Sequence, residues 1–267
     1  MSERNGFRAG VPCWIDTWQP DVEAAVGFYT ELFGWESEGG PVSGSSRKHF
    51  MCTLRGRDVA AIGSPAPEGV PPAWCTYIWV DDVDATAAKV TGAGGSLVME
   101  PFDSLDGGRM AVAADPSGAV FGLWRPRAHT GVQAVNEAGA WCWSQLYTND
   151  PDASLAFYHE IFGWGTEMFG DGEAAATMFK VPGYFGGRPQ QPVSRDVVAG
   201  MAPLREGDLK PHWRVEFWVD DVDAVVATAV RLGGAVVAPA QGPADNRVAV
   251  LADPQGAVFA ISPAPPG

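Results

Sequence analysis

The sequence predicts an α+β fold of two tandem domains, each made of paired βαβββ modules that form a curved, mixed and mostly antiparallel sheet. Three observations support this prediction. The chain of 267 residues repeats itself once. Within each copy, apolar residues change from strand spacing to helical spacing and back. Glycines and Asp-Pro turns separate the predicted elements.

The repeat is long, and its segments keep the same order. Residues 14–36 read WIDTWQPDVEAAVGFYTELFGWE, and residues 143–165 read WSQLYTNDPDASLAFYHEIFGWG. The segment WVDDVDA occurs unchanged at 79–85 and at 218–224. Matches of this length indicate a duplicated domain.

A further shared segment, with the stretch between the copies, sets the predicted domain boundaries. ADPSGAVF at 114–121 returns as ADPQGAVF at 252–259. We therefore predict one domain at 1–126, a linker at 127–140 and a second domain at 141–267.

The first half of copy one predicts one strand, one helix and two more strands, at 12–18, about 21–33, 48–54 and 58–63. Asp21 is a suitable N-cap for the helix, because its side chain can accept from the first free backbone N–H groups. Gly34 is suited to end the helix in the left-handed conformation.

The second half of copy one also predicts a strand and then a helix, followed here by three strands, at 73–80, about 83–91, 96–99, 109–114 and 119–125. Asp81 or Asp82 is the expected helix cap. The sequence Asp-Pro-Ser-Gly at 115–118 has the residues of a type I turn between the last two strands. Copy two repeats this order.

Composition and charge exclude several classes of partner. The formal net charge is −14, which would repel a phosphate backbone or an anionic membrane surface. No apolar stretch approaches the roughly 20 residues that span a bilayer. The first residues lack the shape of a signal peptide. We therefore expect a cytoplasmic protein that binds neither nucleic acid nor membrane. The cysteines lack disulfide or metal-site spacing, and we expect all four to be reduced, namely Cys13, Cys52, Cys75 and Cys142.

Together these motifs resemble the vicinal-oxygen-chelate superfamily. The resemblance rests on a helix ending FYxxxFGW, a strand ending WVDDVDA, a Gly-Gly turn and a closing ADPxGAVF strand. The superfamily includes glyoxalase I, extradiol dioxygenases, and the bleomycin and fosfomycin resistance proteins. The resemblance covers nearly the whole chain, twice, and implies the fold. It is a weak guide to chemistry, because one fold hosts many functions.

The resemblance also implies where a metal enzyme of this superfamily would carry its ligands, on three or four strands. In copy one and copy two respectively, three of these positions hold Trp14 and Trp143, Cys75 and Arg214, and Gly122 and Ala260. The stretches 49–54 and 175–181 offer no Glu for the fourth. Trp, Gly, Ala and Arg are not ligands for a divalent cation. We therefore predict no metal and no other cofactor.

The histidines give one alternative site. We expect structural roles for three of them, His49, His129 and His159. His212 shares a strand face with Arg214 and Glu216, because alternate strand residues point the same way. His212 and Glu216 are the candidate catalytic residues, as an acid–base pair or a displaced metal site. Alternatively, Arg214 and Glu216 form an ion pair at the pocket wall.

Period-two spacing also predicts the ligand-binding residues of the two concave faces. In copy one these are Trp14, Asp16, Trp18, Tyr77, Trp79 and Trp124, and in copy two they are Trp143, Gln145, Tyr147, Arg214 and Trp218. Flat rings with few polar groups favour stacking against a planar apolar ligand. Gly122 and Ala260 would leave room for that ligand. Alternatively, the facing sheets of the two domains pack these rings together.

These observations favour a metal-free binding protein for a hydrophobic or aromatic small molecule, in antibiotic resistance or natural-product metabolism. The first alternative is a cofactor-independent tailoring enzyme, of hydroxylase, lyase or isomerase type, acting on a polyketide-like ring. It would use Glu216, His212 or Asp16 as acid or base. A metal lyase or dioxygenase with relocated ligands and a purely structural fusion are further alternatives.

The pattern leaves the assembly open. We expect a monomer in which the duplication replaces a dimer, or else a homodimer. The two domains form separate cups or exchange modules with each other.

Overall fold

The computed structural model describes residues 2–3, 5–42, 47–64, 71–104, 106–170, 176–186, 193–204, 210–243 and 247–265. Elements are numbered in chain order. Copy one contains β2 (Pro12–Trp18), α1 (Val22–Phe33), β3 (Glu36–Pro41), β4 (Lys48–Leu54), β5 (Arg57–Ser64), β6 (Trp74–Trp79), α2 (Val83–Gly92), β7 (Ser96–Ser104), β8 (Gly108–Ala114) and β9 (Val120–Pro126).

Copy two contains β11 (Trp141–Thr148), α3 (Pro151–Phe162), β12 (Gly165–Phe169), β13 (Ala176–Lys180), β14 (Val197–Pro203), β15 (His212–Val219), α4 (Val222–Arg231), β16 (Ala235–Gln241), β17 (Val248–Ala252) and β18 (Val258–Pro263). Two short strands, β1 (Ser2–Glu3) and β10 (Ala134–Val135), pair with each other. None of the described helices is long and apolar enough to cross a membrane.

Each copy forms one eight-stranded sheet from its own two modules. The strand order is β3-β4-β5-β2-β6-β9-β8-β7 in copy one and β12-β13-β14-β11-β15-β18-β17-β16 in copy two. The modules meet where β2 pairs antiparallel with β6, and the β2–β5 and β6–β9 pairs are parallel. The predicted mixed, mostly antiparallel sheet is confirmed. Within the described residues, neither eight-stranded sheet takes a strand from the other copy, so the modules are not exchanged.

The helix ends follow the sequence signals. Asp21 Oδ1 accepts from the backbone N–H of Ala24 at 3.0 Å, which satisfies one of the free donors at the start of α1. Gly34 has φ 69°, the left-handed conformation that glycine adopts without a Cβ clash. In the second module, the cap of α2 is Asp82 rather than Asp81.

The sequence pattern did not predict β3. This strand reads ESEGGP, is largely exposed, and shows no apolar alternation. Its close pairing with β4 depends on a missing side chain, because a Cβ at Gly39 would lie 2.1 Å from the carbonyl oxygen of His49. A close approach between the backbones of two strands, made possible by a glycine, leaves no hydrophobic pattern in the sequence.

The two copies meet through hydrogen bonds between a helix of one copy and the closing turn of the other. The Tyr29 hydroxyl on α1 donates to Asp253 Oδ2 at 2.9 Å. Gln19 Nε2 donates to the same oxygen at 2.8 Å, and Trp74 Nε1 donates to the Tyr29 hydroxyl at 3.0 Å. Tyr29 and Asp253 are both buried, and their polar side-chain atoms all have partners, whereas the buried Gln19 Oε1 has none among the described residues.

The same contact occurs with the copies exchanged. The Tyr158 hydroxyl on α3 donates to Asp115 Oδ2 at 3.1 Å, and Trp213 Nε1 donates to the Tyr158 hydroxyl at 2.8 Å. We call the two contacts, Tyr29–Asp253 and Tyr158–Asp115, the inter-copy interface. Its residues belong to the repeated FYxxxFGW and ADPxG segments, so these motifs encode the contact between the copies.

The repeated Gly-Gly motif belongs to the same contact. A Cβ on Gly95 would lie 3.1 Å from the Phe157 ring, and a Cβ on Gly234 would lie 3.1 Å from the Phe28 ring. Each glycine thus lets a phenylalanine of the other copy approach the end of its helix.

One set of aromatic rings fills the space between the copies. Phe33 of copy one lies 4.6 Å from Phe217 of copy two, and Trp74 lies 5.3 Å from the same ring, measured between ring centroids. The sequence analysis considered that the rings of the concave faces pack together between the domains. The rings that pack there include Phe33, Trp74 and Phe217, which were not among those predicted. The predicted domain limits of 1–126 and 141–267 stay a prediction.

Candidate ligand-binding cavity

A cavity of about 380 Å³ opens on the sheet of copy one. Alternate residues of β2, namely Trp14, Asp16 and Trp18, line it, whereas Ile15 and Thr17 between them are buried and do not line it. We call it the copy-one cavity, and its full lining is Trp14, Asp16, Trp18, Val42, Arg47, Lys48, His49, Met51, Gly63, Ser64, Tyr77, Phe102, Asp103, Ser104, Gly107, Met110, Trp124 and His129.

The cavity unites five of the predicted ligand-binding residues, Trp14, Asp16, Trp18, Tyr77 and Trp124. Trp79 was predicted with them, but its ring contacts Phe7 instead, with the centroids 6.4 Å apart. The remaining predicted residues, in copy two, lie on the other sheet.

Asp16 is the polar centre of the cavity wall. Its Oδ2 atom accepts from the Tyr77 hydroxyl at 3.0 Å and from Trp18 Nε1 at 3.2 Å. Its Oδ1 atom is buried and has no hydrogen-bond partner among the described residues. The residue is 8% exposed, and burial raises the pKa of its carboxyl from 3.8 to about 7, against the lowering effect of its two donors.

His129 closes another part of the wall. Its ring lies edge-on to Trp14 at 4.2 Å between centroids, and its carbonyl accepts from Trp124 Nε1 at 3.1 Å. Burial, with the nearby His49, lowers the pKa of its imidazole to about 4, so the ring is neutral at physiological pH. The sequence offered no reason to place a residue of the predicted linker in the site.

The positions of the superfamily's metal ligands do not fit a metal. Tyr77 on β6 pairs with both Trp14 on β2 and Gly122 on β9. A Cβ on Gly122 would lie 2.0 Å from the Tyr77 ring. The expectation that Gly122 leaves room for a ligand is therefore wrong, because the Tyr77 ring occupies that space.

The thiol at one of these positions, Cys75, and the neighbouring Tyr77 phenol stay protonated. Burial, with the Asp16 carboxylate, raises the pKa of the Cys75 thiol and of the Tyr77 phenol well above their ordinary values. A divalent cation needs deprotonated sulfur or oxygen ligands or a neutral imidazole. Among the described residues, no three His, Cys, Asp or Glu side chains converge on one point.

The candidate residues of copy two lie together on a second face. Tyr147 on β11 pairs with His212 on β15, and the next residues along that face pair as Gln145 with Arg214 and Trp143 with Glu216. All of these side chains are half-buried.

Arg214 does not pair with Glu216. Its guanidinium lies 4.3 Å from the centroid of the Tyr147 ring and donates to the Tyr147 hydroxyl. Glu216 instead accepts from the Ser262 hydroxyl. Trp218, two residues further along β15, pairs with Ser262.

The candidate catalytic residues are not brought together. The His212 ring stacks on Tyr147, and its Nδ1 lies 2.8 Å from the carbonyl oxygen of Lys210. Glu216 follows four strand residues later, a separation of roughly 13 Å. Burial raises the pKa of the Glu216 carboxyl, although the Ser262 hydrogen bond and Arg214 lower it.

Sequence reasoning missed the part of the lining that comes from the outer strands. Met51 lies on β4 and Met110 on β8, where period-two alternation was available as a signal. Phe102 lies in the part of β7 beyond the predicted strand at 96–99, so nothing placed it in the site.

The fold and this cavity define a class of protein that matches known sequences. A family model described as Glyoxalase/Bleomycin resistance protein/Dioxygenase superfamily matches residues 14–123, and one described as Glyoxalase-like domain matches residues 143–262. The chain belongs to this superfamily, as the motifs predicted.

Particular relatives cover almost the whole chain. CFP32 of Mycobacterium tuberculosis, a candidate glyoxylase, is 43% identical over 270 residues, which is 99% of each chain. The anthracycline biosynthesis protein DnrV of Streptomyces peucetius is 35% identical over 273 residues, 96% of this chain and 94% of the relative.

Solved structures share the fold at low identity. The Mn(II)-bound glyoxalase from Novosphingobium aromaticivorans is 17% identical with a TM-score of 0.59, over 95% of this chain and 82% of that one. The 2,2',3-trihydroxybiphenyl 1,2-dioxygenase from Sphingomonas wittichii is 16% identical with a TM-score of 0.58, over 95% and 90%.

Proposed function

We propose that the chain is a metal-free binding protein for a planar aromatic small molecule, and that the copy-one cavity is its binding site. The observation that carries this proposal is the lining, which combines the rings of Trp14, Trp18, Phe102 and Trp124 with a single buried carboxyl group, Asp16. Pockets for small ligands are typically mostly apolar, with a few polar groups that fix the orientation.

Two further observations support the proposal. The cavity volume of about 380 Å³ lies within the usual range for small-molecule sites. The relative DnrV is named for anthracycline biosynthesis, and this supports a role in natural-product metabolism or antibiotic resistance. All described lining residues lie between 14 and 129, in copy one and the start of the predicted linker. A monomer or a homodimer would each be competent to bind.

Tryptophan fluorescence tests this proposal directly, because three tryptophans line the cavity. We expect saturable quenching by planar aromatic compounds, with naphthalene, acridine and anthraquinone as probes. Gly63 offers a way to fill the cavity, since its backbone has ordinary φ and the contacts of an added Cβ begin at 3.8 Å. Gly63→Leu should weaken binding by about ten-fold or more, which is about 1.4 kcal/mol.

Gly27→Leu is the matched control. Gly27 lies in α1, and an added Cβ would meet nothing within 4 Å. This variant should bind the probes like the wild type. Equal binding by Gly63→Leu would place the ligand elsewhere, and no quenching by any probe would contradict an open aromatic site.

A cofactor-independent enzyme is the second candidate, favoured by one observation. Burial gives Asp16 a pKa of about 7, which suits a group that exchanges protons near neutral pH. Turnover of a bound compound that is lost in Asp16→Asn, with binding of the ring system retained, would support this candidate. Retained turnover in that variant would exclude Asp16 as the acid or base. Glu216→Gln applies the same test to copy two.

A further inference from the structure

Two buried polar atoms on the copy-one cavity wall have no partner among the described residues. They are Oδ1 of Asp16 and Nε2 of His129. Both residues line the same cavity. Buried polar atoms in proteins are nearly always hydrogen-bonded, so two on one wall point to a partner that the chain does not supply.

The hydrogen bonds of Asp16 fix what its free oxygen can do. Tyr77 and Trp18 both donate to Oδ2 and hold the carboxyl group in one orientation. The ionised group therefore presents Oδ1 as an acceptor. The cavity lining also includes Trp14 and Trp124, whose rings offer stacking surfaces for a ligand ring.

We propose that Asp16 is the specificity-determining residue of the cavity, accepting a hydrogen bond at Oδ1 from a hydroxyl group on the ring of an aromatic ligand. This inference rests on the proposed function, because it needs the cavity to bind a planar ring. It adds the class of ligand: phenols and other hydroxylated ring systems, in preference to bare or O-methylated rings.

The preference for hydroxylated rings has a physical reason, which is the unpartnered acceptor Oδ1 of Asp16. A ring that enters without a donor leaves Oδ1, a buried carboxylate oxygen, unsatisfied. Sites built around a hydroxyl group discriminate strongly against the analogue that lacks it, for this reason. A hydrogen bond to a charged group corresponds to an affinity difference of about ten-fold to one-hundred-fold.

Three naphthalene probes of similar size separate the possibilities. 2-Naphthol carries a donor, 2-methoxynaphthalene carries none, and 2-acetylnaphthalene carries a ketone acceptor. At pH 8 the carboxyl of Asp16 is mostly ionised, and a phenolic hydroxyl is still protonated. The wild type should bind 2-naphthol at least about ten-fold more tightly than either other probe, as measured by titration calorimetry.

Asp16→Asn reverses the polarity at the cavity wall with little change in shape. The amide oxygen can keep the bonds from Tyr77 and Trp18, so the amide N–H group faces the cavity. The preference for 2-naphthol should fall to within about three-fold, and 2-acetylnaphthalene should bind at least as tightly as 2-naphthol. Asp223→Asn, which removes the same charge from an exposed ion pair with Arg247 on copy two, should behave like the wild type.

The outcomes separate this inference from the proposed function. Equal affinity of the wild type for all three probes would overturn the role of Asp16 while leaving an aromatic site. A retained ten-fold preference in Asp16→Asn would do the same. Binding of none of the probes would overturn the proposed function, and this inference with it. If Asp16→Asn fails to fold, Asp16→Ser makes the same comparison, and the wild-type preference alone still refutes or supports the proposal.

Discussion

Replacing Tyr29 by phenylalanine removes one hydroxyl group from the inter-copy interface and nothing else. That hydroxyl donates to Asp253 and accepts from Trp74, and all three side chains are buried. Burial and the Asp253 carboxylate raise the pKa of the Tyr29 phenol well above its ordinary value, so the hydroxyl stays a donor at any usable pH.

The expected loss of stability follows from the two partners. A hydrogen bond to a charged group contributes about 1.5–3 kcal/mol, and a stranded buried donor costs about 1–3 kcal/mol. Gln19 still donates to Asp253 in the variant, which keeps the carboxylate partly satisfied. We therefore expect Tyr29→Phe to lower the free energy of unfolding by about 2–4 kcal/mol.

Urea unfolding followed by tryptophan fluorescence and circular dichroism measures this loss. The equivalent change in the other contact, Tyr158→Phe, should cost a similar amount. The two losses should add to within about 0.5 kcal/mol, because the contacts share no partner. Tyr147→Phe is the control; it removes a half-buried hydroxyl that accepts from Arg214 outside the interface, and it should cost less than about 1 kcal/mol because water can replace that bond. A loss below about 0.5 kcal/mol for Tyr29→Phe would refute the reasoning.

Two further predictions concern the cavity. Gly122→Ala should lower the free energy of unfolding by about 3 kcal/mol, because the new Cβ overlaps the Tyr77 ring. The control Gly27→Ala, on an open face of α1, should stabilise the protein slightly. Thermal unfolding compares the two variants, and equal stability would contradict the packing of Tyr77 on Gly122. The folded-state pKa of Asp16, about 7, lies above its ordinary value of 3.8, so between these pH values the folded protein binds a proton that the unfolded protein has released. The contribution of the protonated Asp16 to the free energy of unfolding is therefore full below about pH 4 and lost as the pH rises through 7. This difference corresponds to about 4 kcal/mol at most, and the stability of Asp16→Asn relative to the wild type should rise over that range in urea unfolding. A constant difference would show that the buried carboxyl does not titrate as described.

The sequence predicted the fold well because its signals are local. Helix caps such as Asp21, C-terminal glycines such as Gly34 and period-two strands each fix one element through short-range chemistry. The sequence did not predict strand β3, because its pairing with β4 depends on the absence of a side chain at Gly39 rather than on a hydrophobic pattern.

The site was predictable only in part. Alternation along β2 placed Trp14, Asp16 and Trp18 on one face, and the structure keeps them together. Two features of the site could not be predicted from the sequence. A glycine at 122 does not reveal that the Tyr77 ring fills its space, and the packing of His129 depends on the path of the segment after β9.

The reciprocal contacts between each tyrosine and the other copy's aspartate have an evolutionary consequence. A change at Tyr29 or Asp253, like one at Tyr158 or Asp115, alters a contact whose other member lies in the other half of the chain. The cavity wall is under no such constraint, because none of its described lining residues belongs to copy two. The residues of the inter-copy interface are thus separate from those that line the ligand-binding cavity. Either concave surface is free to acquire a new specificity while the inter-copy interface stays intact.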